Sequence, residues 1–148
     1  MIEPAEARRE AALRFGADSV ADPAEVAQAV EKLPKGRGAD VTIEAVGIPE
    51  SFEQCCALVR PGGRVANVGV HGKPATLHLE DLWIKDVTIT TGLVDTFTIL
   101  TLLDLIAAGR IDPVPFTTHR FALGDAMTAY DTFGRAAETN AMKVLMTR

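Results

Sequence analysis

The feature that most constrains this chain is a run of strand, helix, turn and strand in its middle. The first strand covers residues 41–46 (VTIEAV), the helix covers 49–59, and the second strand covers 64–70 after a Pro-Gly-Gly turn. Both strands are largely apolar without a clean alternation of apolar and polar residues, which is typical of parallel strands buried on both faces. A crossover of this length is right-handed in nearly all proteins. The pattern therefore predicts an α/β fold built on a parallel sheet.

Similar patterns predict the remaining elements. Apolar residues recur at helical spacing over 5–15, 23–33, 97–108 and 123–133, and β-rich runs lie at 87–91 and 142–146. Residues 116–121 are expected to be extended, and residues 77–79 to form a short strand before a helical turn near Leu82.

Composition excludes several classes of function. The chain has 148 residues, the size of one domain, with 47% hydrophobic residues and a net charge of −5. Scattered basic residues in an acidic chain argue against a nucleic-acid partner, and the lack of an apolar run of about 18 residues argues against a membrane span. The only two cysteines, Cys55 and Cys56, are adjacent and cannot link distant segments. We therefore expect a cytoplasmic protein.

Small residues follow three of the predicted strands, at the edge where open α/β sheets bind their ligands. A residue without a large side chain lets a flat ligand lie against the backbone, although each glycine alone is also explained by a turn. These strand-end residues are Gly47, Gly69 with Val70, and Gly92 with Leu93.

The glycine-rich turns that bind phosphate are absent from the sequence. Neither G-x-G-x-x-G nor G-x-x-x-x-G-K-[ST] occurs, and such turns place a pyrophosphate on a helix N-terminus. An acidic residue that binds the adenosine ribose is expected about 20 residues after the first of these turns. Glu3 has that position if the turn precedes Met1.

Five segments, taken in order, resemble the C-terminal, cofactor-binding part of the medium-chain, zinc-type alcohol dehydrogenases. They are RREAALRFGADSV, GADVTIEAVG, ALVRPGGRVANVGV, DVTITTGLV and THRFALGDAMTAYDTFGRAAETNAMKVLM, and the resemblance extends over residues 3 to 146. It implies a Rossmann-like parallel sheet in residues 1–117, truncated at its N-terminus, and a C-terminal helix-strand segment in 118–148 that returns to the catalytic domain. It also implies NAD-dependent hydride transfer with a small-molecule alcohol or aldehyde.

The resemblance further implies contacts with the dinucleotide. Glu3 matches the acidic residue on the adenosine ribose, which favours NAD over NADP because a carboxylate repels a 2′-phosphate. Arg8 matches a basic residue near that ribose and Lys143 one that reaches the pyrophosphate, although both are also explained as solvated surface side chains. The strand-end segments match contacts along the adenosine (Ala45, Val46 and Gly47), at the nicotinamide ring (Val68, Gly69 and Val70) and at the carboxamide (Gly92 and Leu93).

The sequence departs from that family at the zinc. A catalytic zinc takes three protein ligands, which the family carries in an N-terminal domain, and the histidines at 71, 78 and 119 lack ligand spacing. Cys55 and Cys56 lie on the apolar face of a predicted helix, where we expect structural thiols, and His71 is expected in a solvent-exposed loop. We therefore expect weak NAD binding and no activity of this chain by itself.

Two other functions stay open at this point. The segment LVRPGGRV also resembles the loop and strand after the cofactor site of S-adenosylmethionine-dependent methyltransferases, in which an acidic residue such as Glu3 holds the ribose. Alternatively, the chain is a non-catalytic remnant whose unpaired sheet edge associates with like subunits. The dehydrogenase resemblance places a subunit contact at strand 87–91 and so favours a homo-oligomer.

Overall fold

The computed structural model describes residues 1–31, 36–92 and 96–148, which form two compact units. The sheet unit is Pro23–Thr96, and the terminal unit combines Met1–Asp22 with Phe97–Arg148. The strands are β1 (Ala39–Glu44), β2 (Val59–Asn67), β3 (Thr88–Thr91), β4 (Thr117–Ala122) and β5 (Lys143–Thr147). The α-helices are α1 (Glu6–Arg14), α2 (Val26–Glu31), α3 (Pro49–Leu58), α4 (Leu79–Leu82), α5 (Ile99–Ala107), α6 (Ala126–Gly134) and α7 (Ala136–Thr139). No described helix is long and apolar enough to cross a membrane.

The sheet unit is built on a parallel three-stranded sheet in the order β1-β2-β3. Helix α3 connects β1 to β2 and begins at Pro49, whose fixed φ suits a first helical position. The core joins Cys56 of α3 to Val59 and Val65 of β2 and to Leu82 of α4. The predicted α/β fold with a parallel sheet is confirmed.

Both central strands have different ends from those predicted. β1 ends at Glu44 rather than at residue 46, because the amides of Val46 and Gly47 turn back to the Glu44 carboxylate. β2 covers Val59–Asn67, whereas the prediction was residues 64–70. The Pro-Gly-Gly segment, which was predicted as a turn, lies inside β2. The register between β1 and β2 shifts at this segment.

Most helix predictions are confirmed. Turns of 3₁₀-helix at Pro23–Glu25, Thr96–Thr98 and Leu123–Asp125 lead into α2, α5 and α6. The end of the helix predicted for 23–33 lies outside the described residues, and α7 was not predicted. The strand predicted for 77–79 is wrong: α4 begins at Leu79, where the amide of Leu82 donates to the His78 carbonyl at 3.2 Å.

The terminal unit contains a second parallel pair, β4 with β5, on which α6 packs. At the start of the chain, Ile2 forms a single parallel bridge with Ala21, and α1 lies between these residues in sequence. The rings of Phe15 and Phe116 stack with centroids 4.4 Å apart. The domain boundary between residues 117 and 118 and self-association through 87–91 stay predictions.

Candidate functional site

Two loops follow β1 and β2 at the carboxyl edge of the sheet. The first loop is residues 45–48 and the second loop is residues 68–71. The amides of Val68 and Gly69 donate to the Glu44 carbonyl at 2.8 and 3.1 Å. The second loop is therefore held against the end of β1.

Glycine backbones bring the two loops into direct contact. Gly47 has φ +84°, and a Cβ there would overlap the backbone of Val70. A Cβ at Gly69 would overlap the Gly47 amide and the Glu44 carboxylate. The two loops can pack this closely because Gly47 and Gly69 have no Cβ. The sequence did not reveal this reason for the two glycines. At Gly92, by contrast, a Cβ would meet no atom of the described residues within 4 Å.

The carboxylate of Glu44 is buried beneath these loops, and only 1% of the residue is exposed. Its Oε1 accepts hydrogen bonds from the amides of Val46 and Gly47, both at 2.8 Å, and from the Ser51 hydroxyl at 2.6 Å. The Ser51 oxygen also lies 2.9 Å from the Ile48 carbonyl. Its single proton goes to the shorter contact, because that acceptor is charged.

These hydrogen bonds decide the ionisation of Glu44. Burial by itself raises the pKa of a carboxyl group, but the donors Ser51, Gly47 and Val46 outweigh it, and the pKa of Glu44 lies below its ordinary value of 4.5. Glu44 is therefore a buried carboxylate that carries its charge at neutral pH.

The second carboxylate oxygen of Glu44 faces the second loop. Oε2 lies 3.3 Å from Nε2 of His71, which is also 2.9 Å from Oδ1 of Asn67. The His71 side chain is only 19% exposed and its ring meets the Phe52 ring edge-on. The prediction of a solvent-exposed His71 is wrong, because the loop turns the imidazole inward to the carboxylate. Its Nδ1 is buried without a hydrogen-bond partner in the described part of the chain.

The outer surface of the two loops is apolar and accessible. Three valines on it are largely exposed: Val46 (69%), Val68 (55%) and Val70 (77%). Ala45 is also exposed, and Gly92 follows the neighbouring strand β3. The structure therefore brings the segments 45–47 and 68–70 together, whereas Leu93 lies outside the described residues.

The other predicted site residues belong to the terminal unit. Glu3 accepts a hydrogen bond from the Ala5 amide at 3.0 Å, and Arg8 donates to the Ala141 carbonyl at 3.3 Å. Arg8 is half-buried, and it lines with Glu3 an open cavity of about 500 Å³. Lys143 is exposed at the start of β5.

The described residues do not fit a catalytic zinc site. One group, His78 with Glu80 and Asp81, brings three metal-ligating atoms together, but all three residues are exposed, and His78 is hydrogen-bonded to Glu80 at 2.8 Å. Burial raises the thiol pKa of Cys55 and of Cys56, whereas zinc binds the thiolate. The expectation that these cysteines are structural is consistent with this burial.

Sequence reasoning missed Glu44 and Ser51 as site residues. The available signal was a single charged residue inside a largely apolar strand, because a buried charge persists only with hydrogen-bond partners. Ser51, seven positions later in the first turn of α3, was such a partner.

Comparison with known proteins gives consistent matches. Residues 1–108 match a family model described as zinc-binding dehydrogenase. The chain is 35% identical over 132 residues to an alcohol dehydrogenase of Cupriavidus necator, a match that covers 85% of this chain and 36% of that protein. It superimposes with a TM-score of 0.93 and 40% identity on zinc-dependent alcohol dehydrogenase 2 from Streptococcus pneumonia in its apo form, covering 98% of this chain and 43% of that one.

A further match is a Sinorhizobium meliloti protein of the zinc-binding dehydrogenase type, solved bound to NADP. Its TM-score is 0.86 at 25% identity, with 99% of this chain and 44% of that one covered. The chain thus spans between 36% and 44% of the length of these relatives. The matches confirm the Rossmann-like fold and give no support to the methyltransferase alternative.

Proposed function

Because the chain belongs to the zinc-binding dehydrogenase family, we propose that it forms the nicotinamide-dinucleotide-binding part of an enzyme that transfers hydride between NAD and a small-molecule alcohol or aldehyde. The observation that carries the proposal is the pair of loops at the carboxyl ends of β1 and β2. They are locked to each other by glycine contacts and by Glu44, and they present exposed valines outward. Ligands of open α/β sheets bind at this edge.

The apolar outer surface of the loops suits the flat rings of a dinucleotide. Val68, Gly69 and Val70 would lie against the nicotinamide ring, and Ala45, Val46 and Gly47 along the adenosine side. The amides of Val46 and Gly47 already donate to Glu44, and those of Val68 and Gly69 to its carbonyl. These segments would therefore offer shape and apolar contact, while the backbone of Gly92 would meet the carboxamide.

The choice of NAD over NADP rests on charges near Glu3. The carboxylate of Glu3 would hydrogen-bond an adenosine ribose and repel a 2′-phosphate. Arg9, a nearby cation that could offset this repulsion, is engaged with the Glu3 and Pro4 carbonyls and with the Asp22 carboxylate. Arg8, which donates to the Ala141 carbonyl, would lie near the ribose. Lys143, exposed on β5, would reach the pyrophosphate.

Fluorescence titration with NADH and NADPH tests this proposal. We expect NADH to bind at least about tenfold more tightly than NADPH, since one repulsive charge contact is worth about 1.4 kcal/mol. Glu3→Gln should reduce that ratio, whereas the control Glu10→Gln, an exposed residue of α1, should leave it unchanged. Equal affinity for both nucleotides would refute the NAD assignment, and no binding of either would refute the proposed function.

The same preparation tests the expected lack of activity. Since the described residues do not form a catalytic zinc site, the purified chain should produce no NADH from NAD and a short primary alcohol. NADH formation under these conditions would show that the chemistry resides in this chain after all.

A further inference from the structure

The buried carboxylate of Glu44 contacts both loops that the proposed function assigns to the dinucleotide. We propose that Glu44 is the positioning residue of this site, which fixes the first loop through Oε1 and attracts the imidazole of His71 in the second loop through the charge on Oε2. The inference rests on the proposed function, because the shape of the loops matters to the cofactor only if the cofactor lies on them.

The Oε1 side of Glu44 determines the path of the first loop. Two successive amides, those of Val46 and Gly47, and the hydroxyl of Ser51 at the start of α3 converge on one oxygen. Hydrogen bonds to a charged acceptor are stronger than neutral ones. Without this acceptor, the buried Gly47 amide would have to find another partner. The carboxylate therefore holds Val46 where its side chain faces outward.

The Oε2 side of Glu44 faces the imidazole of His71. The Nε2 atom of His71 is hydrogen-bonded to Asn67 Oδ1 at 2.9 Å and lies 3.3 Å from Glu44 Oε2, which makes no hydrogen bond among the described residues. The Asn67 amide is oriented by its nitrogen, which donates to the Gly69 carbonyl at 3.4 Å. Nε2 therefore carries a proton, and in the neutral ring Nδ1 is the unprotonated nitrogen. The lack of an acceptor at the buried Nδ1 agrees with this tautomer.

The substitution Glu44→Gln preserves the size of the side chain and reverses the polarity of one end. The glutamine oxygen can accept the three donors at Oε1, and its NH₂ group then faces Nε2 of His71 as a donor. Nε2 of His71 keeps its acceptor, Asn67 Oδ1, but the negative charge beside it is replaced by a donor. We expect NMR of the ligand-free chain to show shifted signals of the His71 ring nitrogens, a change that a role of Glu44 in folding alone does not require.

The same variant should weaken NADH binding. We expect the dissociation constant to rise about tenfold, equivalent to the loss of one charged hydrogen bond. The matched control is Glu80→Gln, which removes an exposed carboxylate hydrogen-bonded to His78 in the same unit. It should change neither the NMR signals of the His71 ring nitrogens nor NADH affinity. A second variant, His71→Ala, leaves the hydrogen bonds to Oε1 in place and removes the imidazole with its contacts to Glu44 Oε2, Asn67 and Phe52. It should weaken NADH binding about threefold, as expected for the loss of a weak, partly exposed polar contact.

Each outcome separates the inference from the proposed function. If wild type binds NADH and Glu44→Gln binds it equally well, or if both show the same NMR signals of the His71 ring nitrogens, the inference is overturned and the proposed function stands. If neither wild type nor Glu80→Gln binds NADH, the proposed function fails and the positioning role fails with it. If circular dichroism shows that Glu44→Gln does not fold, His71→Ala decides, and unchanged NADH affinity in that variant overturns the inference.

Discussion

Replacing Gly47 by alanine tests the contact between the two loops most directly. Gly47 has φ +84°, and its added Cβ would overlap the carbonyl oxygen of Val70, with the Val70 carbonyl carbon at 2.8 Å. Left-handed backbone costs a residue with a Cβ about 1–2 kcal/mol. Displacing packed backbone costs about a further 1–3 kcal/mol. A lower entropy of the unfolded chain offsets about 0.4–1 kcal/mol of this, so we expect the free energy of unfolding to fall by about 1–4.5 kcal/mol.

The control for this substitution is Gly62→Ala in the same unit. Gly62 has φ +69°, but its added Cβ would meet only the end of the Arg60 side chain, at an ordinary 3.4 Å. It should therefore show the backbone strain without the overlap, a loss of about 1 kcal/mol or less. The difference between the two variants isolates the packing of the loops.

Urea unfolding followed by the fluorescence of Trp83, the only tryptophan, reports on the sheet unit in which both glycines lie. Far-UV circular dichroism of the same samples gives the slope of the unfolding free energy against urea concentration. Midpoints can be compared only if this slope is the same in both variants. A Gly47→Ala variant within about 0.5 kcal/mol of Gly62→Ala would contradict the close approach of the loops.

Two further predictions concern ionisable groups near α3. Ser51→Ala should lower the free energy of unfolding by about 1.5 kcal/mol at neutral pH, because it removes one donor from the Glu44 carboxylate. The folded-state pKa of Glu44 is depressed, so its ionisation stabilises the fold above its ordinary pKa of 4.5 and less as the pH falls below that value. The deficit of Ser51→Ala in urea unfolding should therefore shrink in acid, and a deficit independent of pH would contradict this role. Since burial raises the thiol pKa of Cys55 and Cys56, both should react with iodoacetamide at least about tenfold more slowly in the native chain than in urea, and equal rates measured by mass spectrometry would contradict their burial.

The predictions that the structure confirms rest on local patterns. The apolar face of 49–59 predicted α3 almost to the residue, because helical spacing is a property of a short segment. The strand at 77–79 failed because a few apolar residues without a clear period suit a strand or a helical turn equally well, and the backbone closed a turn at α4.

The positions of the candidate loops were predictable, but their internal construction was not. The crossover between two apolar strands indicates a parallel sheet, and a parallel sheet brings the ends of its strands to one edge. The inward orientation of the His71 ring could not be predicted in this way, because it depends on a carboxylate from another strand, 27 positions earlier in the chain. The need for glycine at positions 47 and 69 is equally non-local, since each of these glycines packs against the backbone of the other loop.

Sequence alone therefore determined the fold class, the crossover and the edge of the sheet at which the candidate loops lie, because hydrophobic periodicity and turn chemistry are encoded in neighbouring residues. Only the tertiary structure decided what Glu44 does. A charged side chain in an apolar strand either faces water or finds buried donors, and the outcome depends on which groups the fold places around it. Here the amides of the first loop, the Ser51 hydroxyl and the imidazole of His71 converge on the Glu44 carboxylate and keep it charged inside the protein.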